Sequence, residues 1–251
     1  MTSESFPTPG EPAYEFPYPA PELAARHPFV PLDFHRYPLD EMRRRAEQFR
    51  AEMARRRSVR MLSAEAVPLD LIEQAIAAAS TAPSGAHQQP WRFVVTGDPL
   101  VKRQIREAAE AEERINYEAG RINDEWRQAL EPLGTDWHKE FLEVAPWIVV
   151  LFEQRYGVAD DGGRRHHYYV KESCGIAAGL FVTALHHMGL ATLTHTPSPM
   201  AFLTEVLGRP ANERPFVLFP VGYPLDGCLV PELTRKALAD VMTVVGELPS
   251  R

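Results

Sequence analysis

A 17-residue apolar run, Cys174 to Leu190, constrains the fold more than any other stretch of this chain. A membrane span needs about 20 predominantly apolar residues. This run is shorter, contains Gly175 and Gly179, and carries the pair His186-His187 near its end. It therefore reads as a buried core helix, predicted over Lys171–Met188 and stopped at Gly189. Around it lie strand-like segments: Trp91–Thr96, the wholly apolar Trp147–Phe152, Ala191–Thr196, Phe216–Val221, and a further one at Val241–Val245. Helical spacing of Leu39, Met42, Ala46, Phe49 and Met53 predicts an amphipathic helix over Leu39–Arg57. Pro68 opens another, with Leu71, Ile72, Ala75, Ile76 and Ala79 on its apolar face. A highly charged helical stretch runs from Lys102 to about Leu130. The pattern is mixed α and β, with a buried central helix.

The 251 residues suffice for one large domain or two small ones. Residues 1–38 form a Pro-rich arm that carries Phe6, Tyr14, Phe16, Tyr18, Phe29, Phe34 and Tyr37. A free linker would rarely carry so many aromatics. The arm is expected to lie on the domain or on a partner subunit, with residues 1–12 the part most open to disorder. Residues 39–251 then form a single domain. The net charge of −7 argues against nucleic acid as a partner, because phosphate contacts need Lys and Arg over a broad face. Two cysteines, Cys174 and Cys228, form neither a zinc pattern nor a disulfide framework, which suits a reducing, cytoplasmic setting. No secretory signal is visible: residues 1–40 lack an uninterrupted apolar core and hold nine of the 23 prolines.

Two short segments carry the chemistry. Arg56-Arg57-Ser58-Val59-Arg60 packs three arginines into five residues of an acidic chain. Guanidinium groups bind phosphate in fork geometry. Cations at a helix C-terminus explain Arg55 but not Arg60, which lies beyond the helix. Thr81-Ala82-Pro83-Ser84-Gly85-Ala86-His87 is a loop of small residues whose backbone can approach a flat ligand. Neither GxGxxG nor GxxxxGK[ST] occurs, so a phosphate must be held by side chains. Together the segments imply a phosphorylated flat cofactor. Thr194-His195-Thr196-Pro197 places hydroxyls at a strand end followed by Pro, which suits a ligand edge, although taken alone the pattern is better explained by routine turn chemistry. Glu113 and Tyr117, at i and i+4, share a helix face, and Lys139 follows a turn marked by Pro132 and Gly134. Such a trio could clamp a zwitterion, although spacing alone favours an exposed charged helix. No metal is expected: there is no HExxH, and adjacent His pairs do not converge on a helix. Cys174, inside an apolar helix, reads as inert packing.

At these residues the chain resembles the FMN-dependent nitroreductase superfamily, and within it the iodotyrosine deiodinase branch. The match is carried by RRSVR, TAPSGAH with Pro90-Trp91, EERINY at Glu112–Tyr117 and WHKEFL at Trp137–Leu142. It continues through HYY at His167–Tyr169, GLATLTHTP at Gly189–Pro197, LGRPANE at Leu207–Glu213 and PVGYP at Pro220–Pro224. It spans about residues 50–245. The resemblance implies an α+β sandwich with a mainly antiparallel central sheet, an intertwined homodimer and FMN at the interface. Arg56, Arg57, Ser58, Val59, Arg60 and Arg235 would hold the FMN phosphate and ribityl chain. Ser84 and Gly85 would touch the flavin, and Thr194, His195 and Thr196 would line its ring. Thr196 would act catalytically by donating a hydrogen bond to N5. The amide of Ala86 would bind a substrate phenolate. Glu113, Tyr117 and Lys139 would hold the amino-acid end of the substrate and order a lid around residues 106–140. The implied reaction is reductive dehalogenation of a halogenated tyrosine such as 3-iodotyrosine, with NAD(P)H or a separate reductase as electron source. Two readings stand beside it: a general NAD(P)H-dependent nitro- or quinone reductase using the same FMN site, and a flavin or amino-acid binding protein without activity. Two departures from the family pattern are plain. The Pro-rich arm stands where animal members carry a membrane anchor, so a soluble, membrane-free form is expected. His195 stands where those members carry threonine, and a histidine there could alter pH dependence.

Overall fold

A computed structural model describes residues 18–118 and 120–246 of the chain. Contacts divide the chain into two units, Met1–Gln48 and Phe49–Arg251. The expectation for residues 1–12 lies outside the described residues. In the first unit, α1 (Pro21–Ala24) is a single turn followed by an extended stretch. Its apolar side chains are not buried: Val30, Leu32 and Phe34 are all largely exposed. Helix α2 (Leu39–Arg55) begins with Asp40 and Glu41 and ends at Arg55, two residues earlier than the spacing suggests. It stops there because Ser58 turns into a parallel bridge with Thr192.

The remaining elements follow in order: α3 (Leu69–Ala79), β1 (Trp91–Thr96), α4 (Pro99–Glu118), α5 (Asp124–Leu130), α6 (Phe141–Val144) and β2 (Trp147–Gln154). Then come β3 (Tyr156–Val158), β4 (Arg164–His166), α7 (Val170–His187), β5 (Ala191–Thr192), α8 (Phe202–Val206) and β6 (Glu213–Gly222). The four-stranded sheet has the order β1-β2-β6-β5, and every pairing in it is antiparallel. A small hairpin, β3-β4, stands apart.

The apolar run of β2 has a simple cause: both faces of the sheet are covered. Val149 and Leu151 point into one core with Ala75 and Ala79 of α3 and Cys174, Ala177 and Phe181 of α7. Ile148, Val150 and Phe152 point into the other, with Ile105 of α4, Leu142 of α6 and Leu203 of α8. Period-two alternation therefore feeds two cores instead of one core and solvent. The fold is the α+β, mainly antiparallel architecture expected from the sequence.

Four local expectations are revised. The central helix α7 buries only one face, through Ser173, Cys174, Ala177, Phe181 and Leu185. Its reverse face leaves Ile176 and Leu180 exposed. The charged stretch from Lys102 breaks into α4 and α5, because Gly120 takes a φ of +75° and Asn123 caps the new helix by accepting from the Trp126 N–H at 2.8 Å. The strand beginning at Ala191 leaves the ladder after Thr192, with one later bridge from His195 to Leu218. Residues 241–245 form no strand: they find no neighbouring edge, and Val241, Val244 and Val245 are exposed. Helix α7 does stop at Gly189, whose φ of +82° allows the Leu190 N–H to donate back to the Leu185 carbonyl at 2.9 Å. No helix among the described residues is long and apolar enough to cross a membrane.

Candidate functional site

The arginine segment is extended because it borders the sheet. The Val59 N–H donates to the Thr192 carbonyl at 3.1 Å, and the Val59 side chain is buried. Val59 is thus spent on the fold, with its amide and its side chain both engaged. Alternation turns Arg56 and Ser58 toward a cavity of about 380 Å³, lined also by Gly175, Gly179, Thr183 and Thr194. A Cβ at Gly175 or Gly179 would meet nothing within 4 Å, so this wall is open to a ligand. Arg57 is tied down differently: its Nη2 donates to the Pro231 carbonyl, and it lines an adjoining cavity together with Arg56, His186 and His187. Arg235 donates to the carbonyls of Ala54 and Arg56, both at 3.0 Å, which brings a third guanidinium to the end of α2. Burial lowers the pKa of Arg56, and the like charges of Arg235 and Arg57 lower it further. Among the described residues none of these arginines has a carboxylate partner within ion-pair distance, although the chain is acidic overall. The cluster thus carries positive charge that the protein does not neutralise.

A second cavity, of about 190 Å³, shares Leu193 and Thr194 with the first. Arg60, Glu113, Tyr117, Lys139 and Thr196 line it. The trio separated in sequence is therefore brought together. Glu113 and Tyr117 sit on the C-terminal part of α4, and Lys139 is held just before α6 by its own N–H, which donates to the Glu110 carboxylate at 2.8 Å. The Lys139 side chain is only 3% exposed and its Nζ lies 4.0 Å from Glu113 Oε2, beyond hydrogen-bond length. The same Nζ lies 5.6 Å from the centre of the Tyr117 ring and donates to the Asp136 carbonyl. Burial raises the pKa of Glu113, opposed by the Lys139 charge. Burial lowers that of Lys139, opposed by Glu113 and Asp136. Burial also raises that of Tyr117. The pocket therefore holds two opposite charges that attract but do not bond.

Residues 194–196 alternate. Thr194 and Thr196 are exposed, while His195 between them is buried against Phe141; all three line the second cavity. Its pKa is pushed down to about 3 by burial, with Lys139 and Arg60 adding to the shift. His195 is thus neutral across the physiological range, and its Nε2 has no hydrogen-bond partner. A folded-state pKa below the unfolded value means that the unfolded chain binds the extra proton. Stability is then full above about pH 6.5 and falls by about 1.4 kcal/mol per unit as pH drops toward the folded pKa. His195→Thr is expected to flatten this acid slope in urea titrations at pH 4, 5 and 7. An unchanged slope would mean that His195 is protonated in the native state.

The Ser84–His87 loop is held in a costly conformation. Ala86, His87 and Gln89 have φ of +49°, +53° and +48°, a region that costs non-glycine residues about 1 kcal/mol or more each. The Gln89 N–H donates to Ser84 Oγ at 2.9 Å, and Gln88 bonds to the main chain of His166 and Tyr168. Gly85 is required, since a Cβ there would lie 2.7 Å from the Tyr168 carbonyl oxygen. Ser84, Gly85 and Ala86 line neither of the two cavities above. Sequence reasoning passed over Phe141, Trp126 and Leu130, which also line the second cavity. Trp126 and Leu130 stand at i and i+4 on α5, a spacing that could have marked them as one face.

Residues 53–223 match the nitroreductase family model, and the chain belongs to the nitroreductase family. Within it, similarity is high to proteins named iodotyrosine deiodinase. The Haliscomenobacter hydrossis protein is 52% identical over 216 residues, covering 86% of this chain and 97% of that protein. Iodotyrosine deiodinase 1 of Mus musculus is 46% identical over 217 residues, covering 86% of this chain and 76% of that protein. Among solved structures, an oxidized iodotyrosine deiodinase bound to FMN and 3-iodo-L-tyrosine superposes with a TM-score of 0.66 at 27% identity, covering 80% of this chain and 99% of that one. A Bacteroides fragilis nitroreductase with bound FMN shares the fold, with a TM-score of 0.57 at 21% identity over 79% of this chain and 99% of that one.

Proposed function

We propose that this protein is an FMN-dependent oxidoreductase that reductively dehalogenates a halogenated tyrosine, such as 3-iodotyrosine, releasing tyrosine and halide. The observation that carries the substrate is the largely buried pair of Lys139 and Glu113, 4.0 Å apart beside Tyr117 with no hydrogen bond between them. A buried charge needs a partner. A zwitterion supplies one to each: its carboxylate to Lys139 and Tyr117, its ammonium to Glu113. Similarity to iodotyrosine deiodinases supports the same substrate class.

The donor set fits FMN. The unneutralised Arg56, Arg57 and Arg235 suit a phosphate dianion, and Ser58 adds a hydroxyl. The open wall at Gly175 and Gly179 admits a flat ring beside Thr194. Bound FMN would supply two electrons; the substrate gains these and one proton while its carbon–halogen bond breaks and halide leaves. The protein's part is positioning and electrostatics. Thr196 lines the adjoining second cavity, from which its hydroxyl or amide would donate to the ring edge. The zwitterion clamp closes charged residues over the pocket, which excludes water and strengthens each interaction within it.

We further propose a homodimer with the site completed across two chains. Its support is the exposed Ile176 and Leu180 on α7, together with the Ser84–Ala86 loop that lines neither cavity of its own chain. The Ala86 amide would reach the substrate phenolate from the second chain. The exposed aromatics of residues 18–38 fit an arm that packs on a partner, with residues 39–251 as one FMN-binding domain. A reduced nicotinamide or a separate reductase would return the electrons, in the cytoplasm. The test is anaerobic: reduce the flavin, add 3-iodotyrosine, and follow flavin reoxidation. Reoxidation faster than with plain tyrosine is expected. Equal rates would overturn the reading, and steady nitroaromatic turnover with NADPH in their place would mark a general reductase.

A further inference from the structure

We propose that Arg121 and Asn116 are positioning residues that fasten the zwitterion clamp to the Thr194–Thr196 segment through one shared acceptor, the carbonyl of Ser198. This rests on the reading of Glu113 and Tyr117 as the clamp. Asn116 Nδ2 donates to the Ser198 oxygen at 3.1 Å, and Arg121 Nη1 donates to the same oxygen at 3.0 Å. Arg121 Nη1 also meets Glu112 Oε2 at 2.7 Å. Both lone pairs of the carbonyl are thereby used, one by each side of the turn at Gly120.

The placement matters because of how α4 is anchored. Its N-terminal half packs into the core through Ile105 and Ala109, but beyond Ala109 the sole buried residue of the helix is Asn116. Asn116 lies three residues after Glu113 and immediately before Tyr117. The segment that bears both clamp residues is therefore held by polar bonds and not by an apolar face. Ser198 lies two residues beyond Thr196, which lines the second cavity, and four beyond Thr194, which lines both. The chain after the turn is drawn back as well: Ile122 is buried, and its N–H donates to the Asn116 carbonyl at 3.4 Å. One carbonyl thus sets where Glu113 and Tyr117 stand relative to Thr196. A bond of this kind, partly charged and partly exposed, opens locally at low cost without unfolding the domain.

The experiment uses the FMN-loaded full chain, as wild type and as Arg121→Gln, Asn116→Ala and Arg121→Lys. Hydrogen exchange is followed in peptides covering residues 111–135 with no ligand added, and 3-iodotyrosine affinity is read by flavin-fluorescence quenching. The Gln and Ala variants are expected to exchange about tenfold faster in this segment and to bind 3-iodotyrosine about tenfold more weakly. FMN affinity and melting temperature should stay unchanged, and Arg121→Lys should recover at least half of the lost affinity by keeping a cation beside Glu112. Unchanged exchange in both variants overturns the clasp. Faster exchange with unaltered 3-iodotyrosine affinity overturns its positioning role. If wild type itself fails to bind 3-iodotyrosine, the substrate reading falls, and the exchange rates still decide whether the clasp exists.

Discussion

Lys139→Met is expected to weaken 3-iodotyrosine binding by about ten- to a hundredfold while FMN affinity changes less than twofold. The substrate carboxylate loses a charge-assisted bond, which is worth about 1.5–3 kcal/mol. A second loss falls on stability: Glu113 loses the opposite charge that offsets its burial, and breaking a buried pair costs up to about 3–5 kcal/mol. Glu113 limits the second loss by taking up a proton, since burial already raises its pKa. The single variant should therefore melt lower at pH 8 than at pH 5, relative to wild type. Adding Glu113→Gln removes the stranded carboxylate, so the double variant should regain thermal stability and still fail to bind substrate. Calorimetric titration of the FMN-loaded protein checks the first result, and melting at the two pH values checks the second. Restored binding in the double variant would remove the pair from the substrate site.

Arg56→Glu is expected to weaken FMN binding by at least a hundredfold. A charge-assisted phosphate contact is lost, and a like charge is set against the phosphate, which costs several kcal/mol. Stability should move the other way. Arg56 is disfavoured in the ligand-free protein by burial and by its neighbours Arg235 and Arg57. A carboxylate between two guanidinium groups relieves that repulsion, so the FMN-free variant should melt higher than FMN-free wild type. Fluorescence titration with FMN and melting of the stripped protein test the two signs. A variant that loses stability and keeps FMN would mean that the cluster serves the fold and not the cofactor.

Strand and helix positions were legible because each is written in short-range periodicity. The strand Trp91–Thr96 appears with the predicted bounds, and the other elements shift at their ends. The ends moved where a partner outside the element decided them: Ser58 bridging Thr192 cut α2 short, and residues 241–245 found no edge to pair with. Arg56 and Ser58 reached a common cavity, whereas Arg57, one residue away, turned to Pro231 because an extended chain alternates its side chains. The same alternation buries His195 between two exposed threonines, and all three line the second cavity.

The sequence by itself determined the mixed α and β pattern, the arginine cluster at residues 56–60 and the shared face of Glu113 and Tyr117, since each is read from composition and spacing along the chain. Tertiary structure alone decided that Lys139, 22 positions after Tyr117, comes within 4.0 Å of Glu113. It also decided that the Ser198 carbonyl accepts from both Asn116 and Arg121 and that His195 is buried against Phe141. These placements depend on packing between distant elements, where burial and the need to satisfy polar groups act over contacts that no local period encodes.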